Sequence, residues 1–227
     1  MREIEEGMEN MTEILMIRHG QTAWNEKKRL QGHSDIPLNS KGEMQALALG
    51  EALRNEKLDA IFSSDMQRAL KTAEAIAIWH GLPVETDPEL RERCYGAFEG
   101  MQPDEIEALY PESHAAWHAA DPDHVFPAGE RAAESLRQFY GRSVAAIRRL
   151  AERHQGQRIV LVAHFGVIES AYRIAESIPL GIRCRMPVLN TSINRFAVRD
   201  GSISLLKWGE AEHLEPLRAP AEYLKHF

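Results

Sequence analysis

Two short apolar runs in this chain, Ile14-Leu15-Met16-Ile17 and Ile159-Val160-Leu161-Val162-Ala163, are each followed within two residues by a histidine. The first leads into Arg18-His19-Gly20 and the second into His164-Phe165-Gly166. Runs of this kind read as buried strands, and open α/β sheets carry their chemistry at the carboxyl ends of such strands. A third segment has the same form: Leu58-Asp59-Ala60-Ile61-Phe62 runs into Ser63-Ser64-Asp65-Met66-Gln67-Arg68, with Arg68 in the first turn of the next helix. One strand-end histidine alone is best explained as a polar cap. Two, with an arginine at a third strand end, point to one site.

Between these segments the pattern alternates strand-like and helix-like stretches, which predicts a largely parallel sheet with helices on its faces. A helix is expected from Ser40 to Glu56, opened by a Ser40/Glu43 capping box and burying Met44, Leu47, Ala48 and Leu53. A strand over 58–62 leads to a helix over 65–80 with Met66, Ala69, Leu70, Ala73, Ile76 and Ala77 inward, stopped at Gly81-Leu82-Pro83. Val84 to Thr86 reads as an edge strand, and Leu90 to Gly100 as an irregular loop. Prolines at 103 and 111 open two short helices, part of a helical insertion at about 101–127. Helical periodicity then covers 129–154, a strand 158–163 and a helix 166–177. Ser192 to Arg199 and Ser202 to Trp208, joined by Asp200-Gly201, read as a β-hairpin.

With 227 residues, 44% of them hydrophobic and 27% charged, the chain suits one soluble domain, taken as 13–227 after a disordered acidic extension over 1–12. A net charge of −7 argues against a nucleic-acid partner, so any anion must be held by locally gathered cations. The basic run Lys27-Lys28-Arg29 reads as a solvated loop. Two cysteines, Cys94 and Cys184, are too few for a disulfide framework and point to the cytoplasm. No stretch approaches the roughly 18 apolar residues that span a bilayer, so no membrane partner is expected. The oligomeric state is left open, a homodimer included.

Phosphoryl transfer requires a nucleophile, a cage of donors around the phosphoryl oxygens, and a proton source for the leaving oxygen. His19 suits the first role if its second ring nitrogen holds the proton and donates a hydrogen bond to a carbonyl or carboxylate. Arg18 and Arg68 offer forked donors for the phosphoryl group, and His164, protonated beside a dianion, adds charge on another face. Glu92 is the candidate acid, with Glu89 and Glu99 as rivals.

The segments Arg18-His19-Gly20-Gln21-Thr22-Ala23-Trp24-Asn25, Gln31-Gly32 and Asp35-Ile36-Pro37-Leu38 resemble the opening signature of the histidine phosphatase superfamily, phosphoglycerate mutase-like branch. Ser63-Ser64-Asp65 with Arg68, Ala69 and Thr72 is similar to that family's second motif, Leu90-Arg91-Glu92-Arg93 with Gly96 and Glu99-Gly100 to its acid loop, and Val162-Ala163-His164 to its last. The resemblance implies a three-layer α/β/α sandwich with a mainly parallel central sheet. It implies a transient phosphohistidine on His19 and proton transfer by Glu92, with Arg18, Arg68 and His164 holding the phosphoryl group. Asn25 becomes a further phosphate ligand, with Thr22, Gln31 and Gly32 at the pocket mouth. No metal or organic cofactor is implied, and the partner is a small phosphorylated metabolite.

Two departures bear on the substrate. Phe165 stands where the family usually has glycine, so a ring narrows the pocket or favours an apolar ester. Bisphosphate-dependent mutases resemble this chain as far as Glu99-Gly100 but then carry a lysine and paired arginines, where this chain has Met101-Gln102-Pro103-Asp104 and Ala116-Trp117-His118-Ala119. Hydrolysis is therefore expected, with a cofactor-dependent mutase, a catalytically silent binding homologue and a purely structural protein as alternatives. The i,i+4 pair His114 and His118 reads as a solvated helix face rather than a metal site, and Trp79, Trp117 and Trp208 as packing residues. Cys94 has no paired base to make it a nucleophile.

Overall fold

In a computed structural model describing residues 11–218, one six-stranded sheet forms the middle layer, in the order β3-β2-β4-β1-β5-β6. Its strands are β1 (Thr12–Arg18), β2 (Ala60–Ser63), β3 (Val84–Thr86), β4 (Arg158–Ala163), β5 (Ile193–Arg199) and β6 (Ser202–Glu210). The β3/β2, β2/β4 and β4/β1 pairs are parallel, and the β5–β6 hairpin adds to β1 antiparallel. The helices are α1 (Ala23–Glu26), α2 (Ser40–Leu53), α3 (Gln67–His80), α4 (Pro103–Leu109), α5 (Pro111–His118), α6 (Leu136–Arg153), α7 (Phe165–Ala175) and α8 (Glu215–Arg218).

Strand periodicity divides the core cleanly. Ile14 and Met16 of β1 face Ile147, Leu150, Val167 and Ile168 of α6 and α7, whereas Leu15 and Ile17 face Leu49, Leu53, Ala73 and Ile76 of α2 and α3. Because β1 and β4 are buried on both sides, their inner stretches Ile14-Leu15-Met16-Ile17 and Ile159-Val160-Leu161-Val162-Ala163 are apolar without a break, the three-layer arrangement that the sequence implies. A small third cluster, Phe98, Ile106 and Phe126, supports the acid loop and the α4–α5 insertion.

Several boundaries and faces differ from expectation. Helix α2 is capped by Asn39, whose side chain accepts from the Gly42 amide, so the Ser40/Glu43 box is not used, and the helix stops at Leu53. Its buried face carries Gln45, Ala46, Leu49, Gly50 and Leu53, while Met44 and Leu47 are exposed. The reason is close packing: a Cβ on Gly50 would lie 2.2 Å from the Ala75 carbonyl oxygen of α3, so the helices meet through small residues. Strand β2 starts at Ala60 rather than 58, and α3 starts at Gln67, which leaves Arg68 in its first turn as expected. Helix α6 begins only after a Ser135/Gln138 capping box, not at 129, and α7 spans 165–175 rather than 166–177. Trp79 is half exposed rather than packed.

Other expectations hold. Gly81 ends α3 in the left-handed conformation (φ 64°), and β3 lies at the sheet edge. Asp200 (φ 49°) and Gly201 (φ 73°) turn the hairpin with both central residues at positive φ, as a type I′ turn requires. The expected N-terminal extension falls mostly on residues 1–10, outside the described residues, and Thr12 is already buried in β1. Among the described residues no helix is long and apolar enough to cross a membrane.

Candidate active site

Parallel pairing of β1 with β4 sets Arg18 beside Ala163, and the His19 amide donates to the Ala163 carbonyl at 3.0 Å. The two histidines that follow therefore lie side by side, ring centroids 5.1 Å apart. Strand β2, on the other side of β4, delivers Ser64, whose Oγ lies 2.9 Å from His164 Nε2. Three strand ends thus build the floor. Helix α3 adds Arg68, which is fully buried and donates to the Gly32 carbonyl at 2.8 Å and the Ser34 carbonyl at 2.9 Å.

His19 Nδ1 lies 2.7 Å from the carbonyl oxygen of Gly20, which can only accept. The ring proton therefore rests on Nδ1, and Nε2 keeps its lone pair. Burial, reinforced by the guanidinium groups of Arg68 and Arg18, holds the His19 pKa well below the ordinary imidazole range, so the nucleophile-ready form persists. His164 is likewise held neutral by burial, with Arg68, His19 and Arg18 adding to the effect. In this structure the positive charge of the site is carried by the arginines, whereas the protonated His164 expected from the sequence belongs to the site with a phosphate dianion beside it. Burial lowers even Arg68, to about 10.

Three polar atoms at this floor are buried without a hydrogen-bond partner in the protein: Arg18 Nε, Arg68 Nε and His164 Nδ1. They are half of the six such atoms among the described residues, gathered at one point. A buried donor left unmatched costs about 1–3 kcal/mol, more when charged, and an anion with several acceptor oxygens would satisfy both guanidinium nitrogens, and His164 Nδ1 as well when that nitrogen carries the ring proton. Helix α7 points its N-terminal turn at the same place, which also favours negative charge.

The resulting pocket, about 170 Å³, is lined by Arg18, His19, Asn25, Arg29, Gln31, Gly32, Arg68, Glu92, His164 and Phe165, together with Leu30 and Tyr95. Nine of the ten residues assigned from the sequence therefore meet there. Thr22 does not: it is buried behind the wall, where its Oγ donates to Gln31 and accepts from the Asn25 amide. Arg29 is no solvated loop residue, since it bonds the Gly100 carbonyl and Glu105 and lines the pocket.

Glu92 wins over its rivals on geometry. Its Oε1 accepts from the Arg93 amide at 2.9 Å and its Oε2 from the Gly166 amide at 3.1 Å, which fixes the carboxyl across the pocket. The close fit explains Gly166, where a Cβ would fall 2.4 Å from Glu92 Oε1. Glu99 instead accepts from the His33 and Tyr95 amides and the Ser34 hydroxyl, and so braces the loop. Glu89 does not line the pocket. Burial raises the Cys94 pKa, in keeping with a thiol that does not act as a nucleophile.

Sequence reasoning missed Tyr95, Arg93 and Arg183. Tyr95 and Phe165 line both the phosphate pocket and an adjoining cavity of about 250 Å³, into which Arg93, Trp117, Glu169 and Arg183 also face. Phe165 thus separates the two spaces without closing the first. His118 is not merely solvated, since its Nδ1 pairs with Arg183 NH1 at 2.9 Å. Asn190, which donates to the His19 carbonyl at 2.8 Å, was also missed, for it lies 171 positions away in sequence.

The neutral rings carry a stability consequence. Near pH 6.5 an unfolded histidine takes up a proton, whereas folded His19 and His164 do not until the pH is lower. Below about pH 6.5 the unfolded state therefore binds more protons, and the unfolding free energy falls with pH by up to about 1.4 kcal/mol per unit for each ring. Urea titrations from about pH 7.5 down to 5 are expected to show this decline. Replacing both histidines by asparagine should reduce its slope.

Fold and site together gather an imidazole with a free lone pair, two buried guanidinium groups and a facing carboxyl around one pocket. Comparison with known proteins agrees. The profile of the histidine phosphatase superfamily, branch 1, matches residues 14–211, and the chain belongs to that family. It is 40% identical over 206 residues to phosphoglycerate mutase-like protein 4 of Arabidopsis thaliana, covering 89% of this chain and 87% of that protein. It is 35% identical over 207 residues to the metal-independent phosphoserine phosphatase of the same plant, covering 90% and 84%. Bacillus stearothermophilus YhfR has a similar solved structure, with TM-score 0.81 and 30% identity over 90% of this chain and all of that one (100%).

Proposed function

We propose that this chain hydrolyses a small phosphate monoester through a phosphohistidine on His19. The carrying observation is the unprotonated His19 Nε2 in a pocket whose buried donors Arg18 Nε and Arg68 Nε, beside the unpartnered His164 Nδ1, have no protein partner. In the first step Nε2 bonds to phosphorus, the ester P–O bond breaks, and the departing alkoxide oxygen takes a proton from Glu92. In the second, Glu92 takes a proton from water, the water oxygen bonds to phosphorus, and the N–P bond breaks to release inorganic phosphate. Arg18, Arg68, Asn25 and His164 hold the phosphoryl oxygens throughout, and Gln31, Gly32 and Phe165 bound the pocket.

The partner is a phosphorylated metabolite rather than nucleic acid or membrane, acted on in the cytoplasm by one domain over 13–227. Phosphoserine enters as a candidate because a relative of 35% identity is named for it. A second reading, a phosphoglycerate mutase, is favoured by Arg93 and Arg183, which supply cations in the adjoining cavity for a second anionic group. A panel of phosphate esters, phosphoserine and phosphoglycerates included, tests both. Release of inorganic phosphate with an acid-labile phosphoryl group trapped on His19 is the expected result. Isomerisation stimulated by a bisphosphoglycerate, with little phosphate released, would replace the first reading by the second, and no turnover of any ester would end both.

A further inference from the structure

Arg142 lies on α6, outside the pocket, yet all five of its guanidinium N–H groups are spent next to the acid. Its NH1 donates to the carbonyls of Glu89 and Arg91, each at 2.9 Å, and its NH2 to the carbonyl of Glu92 itself at 2.8 Å. The remaining two bonds go to the Glu134 carboxylate, at 2.6 Å from Nε and 2.8 Å from NH2. Glu134 in turn accepts the Cys94 amide at 2.8 Å, while its backbone carbonyl accepts from Arg93 Nε at 2.9 Å. His33 Nε2 completes the set, 2.9 Å from the Glu92 carbonyl.

Between the 3-10 turns Pro88–Leu90 and Gly96–Phe98 the stretch that carries Glu92 is irregular, and side chains from other elements hold it, Asp65 on the Arg91 guanidinium and Arg142 on the Glu92 carbonyl. Its carboxyl reaches the pocket only while the Glu92 backbone keeps its distance from the Gly166 amide of α7. Helix α6 touches both sides of that distance. Arg142 grips the loop, and Phe139, one turn earlier, packs where a Cβ on Gly166 would come within 2.8 Å of its ring.

From this geometry we infer that Arg142, held by Glu134, is a positioning residue that sets the proton-transfer geometry of Glu92. The inference rests on the hydrolase reading above. A displacement of about 1 Å in a reacting group can cost about 100-fold in rate. That loss belongs only to esters whose leaving oxygen must be protonated.

The test compares kcat/KM, which reports the step that expels the leaving group, for β-glycerophosphate and for p-nitrophenyl phosphate. The first loses an alkoxide that needs the acid and the second a stable phenolate that does not. Arg142→Lys keeps the charge but not the fork. It is expected to lower kcat/KM for β-glycerophosphate about 100-fold, and for p-nitrophenyl phosphate at least tenfold less, about as Glu92→Gln does. Combined with Glu92→Gln it should add no further loss on the alkyl ester. Equal falls on both esters, or additive losses in the double variant, would overturn the assignment. If Arg142→Lys does not fold, Glu134→Gln, which frees the guanidinium but keeps an acceptor for Cys94, is read by the same ratio. Selective loss in Glu92→Gln alone would refute the role of Arg142 while leaving the hydrolase reading intact, whereas an unaltered protein inactive on both esters would refute that reading first.

Discussion

Replacing His19 by alanine is expected to remove turnover of every ester, a loss of at least about 10³-fold, because no other group can accept the phosphoryl group in that place. Among the described residues that line the pocket, His19 is the imidazole whose tautomer, fixed by the Gly20 carbonyl, leaves Nε2 with a free lone pair, and Cys94, the nearest thiol in sequence to the acid, lies outside that lining. The fold should survive, since the backbone bond from residue 19 to Ala163 does not involve the side chain. Steady-state assay and trapping of the phosphoryl adduct measure the first effect, and thermal unfolding the second. A His19→Ala protein that kept its rate, or still formed an acid-labile adduct, would refute the mechanism.

The second large effect is expected at Arg68. Its terminal nitrogens are tied to the Gly32 and Ser34 carbonyls, so the guanidinium plane is fixed before substrate arrives, and its Nε is buried without a protein partner. Donors preorganised at developing charge are each worth about 3–4 kcal/mol in the transition state. Lysine keeps the charge but has neither the plane nor an Nε, so Arg68→Lys should lower kcat/KM about 100-fold or more. Inhibition by vanadate should weaken in parallel, because the same donors hold that anion. A variant with unchanged kcat/KM would remove Arg68 from the site.

Much of this was legible in the chain because chemistry and topology coincide. Apolar runs that end in Arg18-His19 and in His164 fix both the parallel sheet and which of its ends is reactive, and Arg68 follows from one helical turn beyond a third strand. Reading failed where close packing or distant backbone groups decide. Met44 and Leu47 look like the inner face of α2 by hydrophobicity, but α2 and α3 approach so nearly that small residues must lie between them. The charge of His164 depends first on its burial and then on arginines from two other segments, neither of which a local pattern records. The grip of Arg142 is directed mainly at carbonyl groups some 50 positions away, and carbonyls leave no mark on residue identity.

The position of β4 between β1 and β2 reaches beyond the finished enzyme. Strands β1 and β2 are not neighbours: β1 must wait for a segment that begins at Arg158 before it gains any partner, and until then β2 has only the short edge strand β3. Such distant pairing slows folding. It also means that a nascent or truncated chain ending before that segment holds His19 with no second histidine beside it, so catalytic competence arrives together with the sheet and not in advance of it.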